Sequence, residues 1–322
     1  MKNNKRKIFV PLCLRGKGFT LLEMVVAIGL LAIVVFFASA IFKAAIGSYR
    51  TASAQAEIMG KLRVITQQLD NDFRGIRSDA PVIIRFEVPS DSDDRFDQIM
   101  FFADGDFQST RLYSGSPAVP SPTGSPVVGN VARIQYGQAS LYSPTDGYFL
   151  DPNQQVFENS TDRYSNKKYR TLARRQHILT ADPSIVQWPL DFISTFDSAG
   201  NDAYEHDTNS LSQWQALLQL TANQDHITDI CFHYRPRINY QNSTGLHMLM
   251  AEGVPNFMVQ LAVAVDDVNG VIDWRPDNDE VRTSAPMGLF WPPAIKFTFT
   301  LYDSRGVFKD GQTFTHIVYL GE

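Results

Sequence analysis

Glu23 is the one charged residue in an apolar run from Phe19 to Phe42, and its chemistry is that of a carboxylate in need of a partner. An acid within a bilayer-length segment costs about 2.5 to 3.5 kcal/mol on insertion scales, so it answers another group rather than the lipid. The run is preceded by six cations (Lys2, Lys5, Arg6, Lys7, Arg15, Lys17) and by no acid. The positive-inside rule then keeps the N-terminus in the cytoplasm and exports everything after Lys43. The stretch joining leader to run is Arg15-Gly16-Lys17-Gly18-Phe19-Thr20-Leu21-Leu22-Glu23. A secretory signal would place a small-residue cleavage site after the apolar stretch, and no convincing one precedes Lys43.

Other residues with chemical potential give less. There is no Gly-x-Ser-x-Gly elbow, no His-Glu-x-x-His pair and no phosphate-binding glycine loop, so no enzyme and no cofactor is expected. The six histidines (His177, His206, His226, His233, His247, His316) are scattered without ligand spacing. His233 lies two residues from Cys231 on a strand-like pattern, an arrangement commoner in plain sheet than in a zinc site. Asp267, Asn269 and Asp273 resemble half of a calcium loop around Gly270, with Asp277, Asp279 and Glu280 close behind. Hard cations take six to eight such oxygens. Aligning Gly270 with the loop glycine, however, puts Val265 at the first ligand position and Pro276 at the twelfth, and the segment reads better as a solvated turn.

The chain has 322 residues, 44 % of them hydrophobic and 12 % aromatic, enough for the exported part to bury a real core. Its 29 basic and 34 acidic residues give a formal charge of −5; without the six leader cations, 23 basic against 34 acidic leave −11. An acidic exported part argues against nonspecific binding to nucleic acid. Cys13 lies in the leader and only Cys231 follows the apolar run, so the exported part cannot form an internal disulfide.

The elements that must position Glu23 begin with a helix. Phe19 to Phe42, 24 residues, is about 36 Å long as an α-helix and spans a hydrocarbon core of about 30 Å with some tilt. Beyond it Ile58, Leu62, Ile65, Leu69, Phe73 and Ile76 recur every three or four residues, one stripe on a continuing helix that needs a sheet to cover. The stop is expected between Gly75 and Pro81, since Pro81 cannot continue a helix and restricts Ala80. Period-two alternation follows at Val82 to Val88, Ala132 to Tyr136, Ile230 to Tyr234, Phe257 to Val265, Ile295 to Leu301 and near Thr313 to Leu320. These predict half-buried antiparallel strands. Ser114 to Pro126, rich in proline and glycine, reads as an exposed loop. Leu211 to Leu220 reads as a short helix, and the region of about 110 to 225 as an elaboration on the head. The expected fold class is α+β: a long N-terminal helix, membrane-spanning in its first half, packed on an antiparallel sheet.

The basic leader ending in Gly18, then Phe19, then Glu23 four residues later, then an apolar helix, resembles the N-terminus of the type IV prepilin superfamily. The resemblance covers residues 15 to about 42. It implies cleavage between Gly18 and Phe19 by a prepilin peptidase, N-methylation of Phe19, and a freed amine that pairs with a neighbouring subunit's Glu23. It implies four segments: leader 1–18, transmembrane helix 19–42, amphipathic helix 43–80 and periplasmic head 81–322. A second likeness lies at the tail. Trp291-Pro292-Pro293-Ala294-Ile295 opening a terminal hairpin, with Gln67 to Arg74 at the helix end, is similar to the J-type minor pseudopilins of type II secretion. Partners implied are other minor and major pseudopilins and an inner-membrane assembly platform. Two alternatives stay open: a minor pilin of a type IV pilus or DNA-uptake filament, and a membrane-tethered binding protein using Trp188, Trp274 or Trp291.

Overall fold

The computed structural model describes residues 20–80, 82–86, 95–115, 119–143, 148–150, 170–179, 204–207, 210–219, 235–241, 243, 245–266, 271–275, 282–284 and 291–320. It divides into two compact units between Ser53 and Ala54. Helix α1 runs Leu21–Arg74. The head then continues through β1 (Val82–Arg85), β2 (Gln98–Ser114), β3 (Val119–Pro120), β4 (Ser125–Gln138), β5 (Ser140–Ser143), β6 (Tyr148–Leu150) and β7 (Thr171–Leu179). After β8 (His206–Asp207) come α2 (Leu211–Gln219), β9 (Arg237–Ile238), β10 (Leu249–Glu252), β11 (Phe257–Asp266) and β12 (Val271–Arg275). The last strands are β13 (Arg282–Ser284), β14 (Ala294–Leu301) and β15 (Gln312–Tyr319). The class is α+β, with helix on sheet.

The strands form three sheets, two of which share the main core. One has the order β10-β7-β4-β2-β1-β13, and the second the order β12-β11-β14-β15; a small third sheet is β6-β5-β9. The predicted helical stripe is the seam of that core. Ile58, Ile65, Leu69 and Phe73 are buried, with Leu62 and Ile76 packed against them. The Phe73 ring lies 4.1 Å from that of Phe101 in β2 and 5.4 Å from that of Phe297 in β14, so one side chain touches both sheets. The sheets are also joined by backbone. Arg95 to Asp97 runs beside β11, with the Asp97 N–H donating to Phe257 O (2.7 Å) and the Phe257 N–H to Arg95 O (3.0 Å).

The helix stops within the expected window, and the close approach of β2 explains the residue used. A Cβ on Gly75 would sit 2.1 Å from Asp104 O, while the Asp104 N–H donates to Gly75 O at 2.7 Å. Only glycine leaves room there. At the other end of the head, Asp303 organises the turn between β14 and β15. Burial alone would raise its carboxyl, but the N–H groups of Phe308, Val307 and Arg305 outweigh burial and hold it below the ordinary aspartate value. Gly311, in the left-handed region at φ 69°, closes the turn. The hairpin is fastened to α1 by Ser304, whose N–H and hydroxyl donate to Glu57 (2.9 and 2.8 Å), and by Lys61, which donates to Tyr302 O (2.8 Å).

Two features differ from the linear reading. The region of about 110 to 225 contains more than elaboration: besides β4, whose Ala132 to Tyr136 alternation was expected as a strand, it supplies β7, and both are interior strands of the first sheet, with Ala132, Ile134, Tyr136, Leu172 and Ile178 buried. The signal was weak because both faces of β7 are covered. Its residues Arg174, Arg175 and His177 are sequestered by ion pairing and packing rather than by apolar character. The Ser114 to Pro126 segment, expected as loop, carries β3, which pairs back onto β2. The alternation at Ile230 to Tyr234 lies outside the described residues.

The sheet also holds α1 by charge. Asp72, buried on the helix, accepts from Arg174 Nε (2.6 Å) and Nη2 (2.8 Å) on β7, from Gln68 Nε2 one turn earlier (3.0 Å), and from the Tyr136 hydroxyl on β4. Burial and the neighbouring Asp72 carboxylate keep that tyrosine protonated. Arg174→Met should therefore cost about 3 to 5 kcal/mol, because it strands a buried charge. Leu69→Ala should cost about 2 to 5 kcal/mol, and Leu69→Asp should abolish the thermal transition of the head; an unchanged transition in calorimetry would rule out the packed stripe.

Candidate functional site

The sequence concentrates chemistry at the start of α1, and the structure supplies local geometry there. Thr20 precedes the first helical residue, and its N–H and hydroxyl both donate to Glu23 Oε2, at 2.9 and 3.0 Å. In return the Glu23 N–H donates to the Thr20 hydroxyl oxygen at 3.2 Å. This reciprocal pair is a capping box, Thr-x-x-Glu, which satisfies two of the orphan N–H groups at a helix N-terminus. The acid also sits in the first turn, where the helix dipole favours negative charge. The spacing Thr20-x-x-Glu23 was present in the sequence as a helix-start signature, but the apolar run drew attention to the acid alone.

Around this cap the surface is hydrocarbon. Leu21, Leu22, Met24, Val25, Val26, Ile28 and the apolar residues on to Phe42 are exposed, and α1 is long and apolar enough to cross a membrane. Gly18 and Phe19 lie outside the described residues.

Residues 14–39 match the family described as the prokaryotic N-terminal methylation motif. Over these residues the chain carries the N-terminal signature of the type IV prepilin superfamily. No curated protein and no solved structure matches it. The motif implies processing by a prepilin peptidase and assembly with other pilin-like subunits, and the single apolar helix is consistent with membrane anchoring.

The remaining candidates of this prepilin-like chain fall elsewhere. Asp273 lies in β12 opposite Ala264, within a paired strand, whereas Asp267 and Asn269 lie outside the described residues. Among the described residues no group of three or more His, Cys, Asp or Glu is placed to hold a metal. Cys231, His233 and Trp188 lie outside them. Trp274, on β12, has Lys296 Nζ 4.7 Å from its ring centroid, and Trp291 packs against the core.

One cluster was invisible in the spacing. Pairing of β7 with β8 brings His177 and His206, 29 positions apart, onto adjacent strands. There Asp207 accepts from Arg133 Nε (3.1 Å) and from Trp214 Nε1 (3.2 Å), and an Arg133 Nη2 meets His177 Nδ1. Burial, then the Arg175 and Arg133 charges, push His177 well below the ordinary histidine value; burial also lowers His206 against the pull of Asp207 and Glu205. The set is a buried polar junction under α2 rather than an exposed site.

Two measurements follow from these geometries. Below about pH 6.5 an unfolded histidine takes a proton that buried His177 and His206 refuse, so the unfolded state binds more protons and stability is lost as the pH drops. The loss starts near 6.5 and continues toward the lower folded values. Thermal unfolding between pH 7.5 and 5 should show this slope, and His177→Gln should make it shallower. At the helix start, Thr20→Ala should weaken the first turn by about 0.5 to 2 kcal/mol, read as faster amide exchange at Leu21 to Met24 in micelles, with the Ala54–Arg74 amides unaffected.

Proposed function

We propose that this chain is a minor pseudopilin of type II secretion, a structural subunit anchored in the bacterial inner membrane with its head in the periplasm. The observation that carries the reading is the methylation motif in register with an apolar run, Phe19 to Phe42, whose one acid, Glu23, is bonded to Thr20 at the helix start. The terminal hairpin of β14 and β15, opening after Trp291-Pro292-Pro293 and continuous over eight residue pairs, supports the J-type likeness over a generic pilin head. In this reading residues 1–18 are the leader, 19–42 the membrane helix, 43–80 its continuation, helical as far as Arg74, and 81–322 the head.

The chemistry follows from charge in a medium of low dielectric. Glycine at position 18 leaves the scissile backbone open to the peptidase. Hydrolysis frees the Phe19 amine as a cation beside hydrocarbon, where it is costly alone and tolerated when paired. In an isolated subunit Glu23 is satisfied by the neutral donors of Thr20. Those bonds are already charge-assisted through the carboxylate; a neighbour's Phe19 ammonium adds a full opposite charge in a medium of low dielectric, so docking exchanges local dipoles for an ion pair and sets axial register. The K-type tip subunit of this superfamily commonly lacks the acid, which puts a chain carrying Glu23 beneath another subunit.

Mass spectrometry of the mature protein should find Phe19 at the N-terminus, N-methylated, and a bulky substitution of Gly18 should leave the precursor intact. An uncleaved leader in cells with active prepilin peptidase would remove the basis of the reading. Glu23→Ala and Glu23→Gln should both insert at least as well as the parent yet crosslink poorly to sibling subunits and fail to restore secretion in a deletion strain. Restoration of pilus assembly or DNA uptake instead would assign the chain to a type IV pilus.

A further inference from the structure

Among the described strands, those at sheet edges are blunted in recognisable ways, with one exception. β13 has three residues and begins with Arg282. β10 has four, shifts register between Leu249 and Ala251, and ends on Glu252. β12 has five, carries Asp273 and Arg275, and faces a register shift between Ala262 and Ala264. The edges of the third sheet, β6 and β9, have three and two residues. Short length, charge and bulges are the devices by which proteins keep an open edge from pairing with another chain.

β15 has none of them. It is eight residues long, Gln-Thr-Phe-Thr-His-Ile-Val-Tyr, with no proline, lysine, arginine or acid. It pairs with β14 without a shift from Ala294 opposite Tyr319 to Leu301 opposite Gln312, and no other described strand pairs with it. Its inward residues are spent on the core and on α1: Gln312 bonds Gln55, Phe314 and Val318 join the hydrophobic cluster, and His316 Nε2 lies 2.8 Å from Asp70 Oδ1. Its outward series is Thr313, Thr315, Ile317 and Tyr319, of which Tyr319 is 73 % exposed.

We propose that the β15 edge takes up an extended strand from a sibling pilin-like subunit, continuing the second sheet across the subunit boundary. The inference rests on the filament reading for the identity of the occupant. A flat edge offers alternating N–H and C=O groups, and only extended backbone matches that pattern. The outward threonines and tyrosine fit a partner strand of β-branched or aromatic residues, pairs worth about 0.2 to 1 kcal/mol each. Adding one strand of this length buries a few hundred Å², well under the roughly 1,200 Å² of a stable free complex. The partner must therefore be held nearby by something else, and anchorage of both chains in one membrane supplies the effective concentration. A second copy is the poorer occupant, since it would bring together two exported parts that each carry −11.

The test uses the full chain in membranes of cells that make its sibling subunits. A benzophenone amino acid at Thr315 should give, on illumination, an adduct with a sibling subunit. Thr313→Lys combined with Tyr319→Lys should lower the adduct yield about tenfold, while the thermal transition moves only by the one hydroxyl hydrogen bond that Thr313 makes to Thr300 (2.7 Å), both side chains being exposed. In the co-purified complex, exchange of alternate β15 amides should slow about tenfold relative to the chain alone. Co-purification of siblings without a Thr315 adduct, an adduct with a second copy or with an unrelated protein, or adduct yields indifferent to the lysines would each overturn the edge proposal and leave the filament reading standing. Absence of any co-purifying sibling would overturn both.

Discussion

Everything in the head depends on one face of one helix. Residues Ala54 to Phe73 of α1 supply the side chains against which two separate sheets close, and Phe73 is where the sheets meet, stacked on Phe101 and tilted against Phe297. Removing that face would leave two sheets each with an apolar side facing water. The polar contacts are arranged around the same requirement. Asp72 fixes the helix to β4 and β7, while Glu57, Lys61 and Gln55 fix it to the β14–β15 hairpin. Individually such pairs contribute little unless buried; Asp72 is buried, and its loss would be felt most.

The same helix meets a different demand in its first half. Its side chains from Leu21 to Phe42 are hydrophobic without periodicity and exposed all round, as suits a segment surrounded by lipid. Within that surface the only formal charge is held by its own helix start through Thr20. Under the proposed function, local satisfaction of the acid lets a subunit wait in a bilayer without a partner, and a cationic partner displaces the Thr20 dipoles by its full charge.

Two kinds of surface are then left for assembly under the proposed function. The exposed apolar helix is generic to the membrane. The β15 edge is specific to this head, because uninterrupted register and absence of charge single it out from the other described edges. An open edge among the described strands, on a chain that the proposed function anchors by its helix, gives the directional contacts that a subunit of an ordered filament needs.

The sequence by itself determined what depends on local chemistry. The leader cations, Gly18, Phe19 and Glu23 identified the superfamily, and the 3.6-residue stripe from Ile58 to Ile76 located the buried helix face. Gly75 and Pro81 bracketed the helix end, and period-two alternation located β11, β14 and β15. These were legible because each signal lies within one short continuous stretch of chain and is set by charge, hydrophobic pattern or backbone restriction. Tertiary structure alone decided which strands share a sheet and which polar residues are buried. β7 reads as polar because Arg174 and His177 are sequestered by partners contributed from Asp72 and Arg133, 102 and 44 positions away. At the junction of the two sheets Asp97 is farther still from its partner, Val259, 162 positions away, whose N–H it accepts at 2.8 Å. Long-range pairing of this kind leaves no periodic trace, since the partner's position is fixed by topology and not by spacing along the chain.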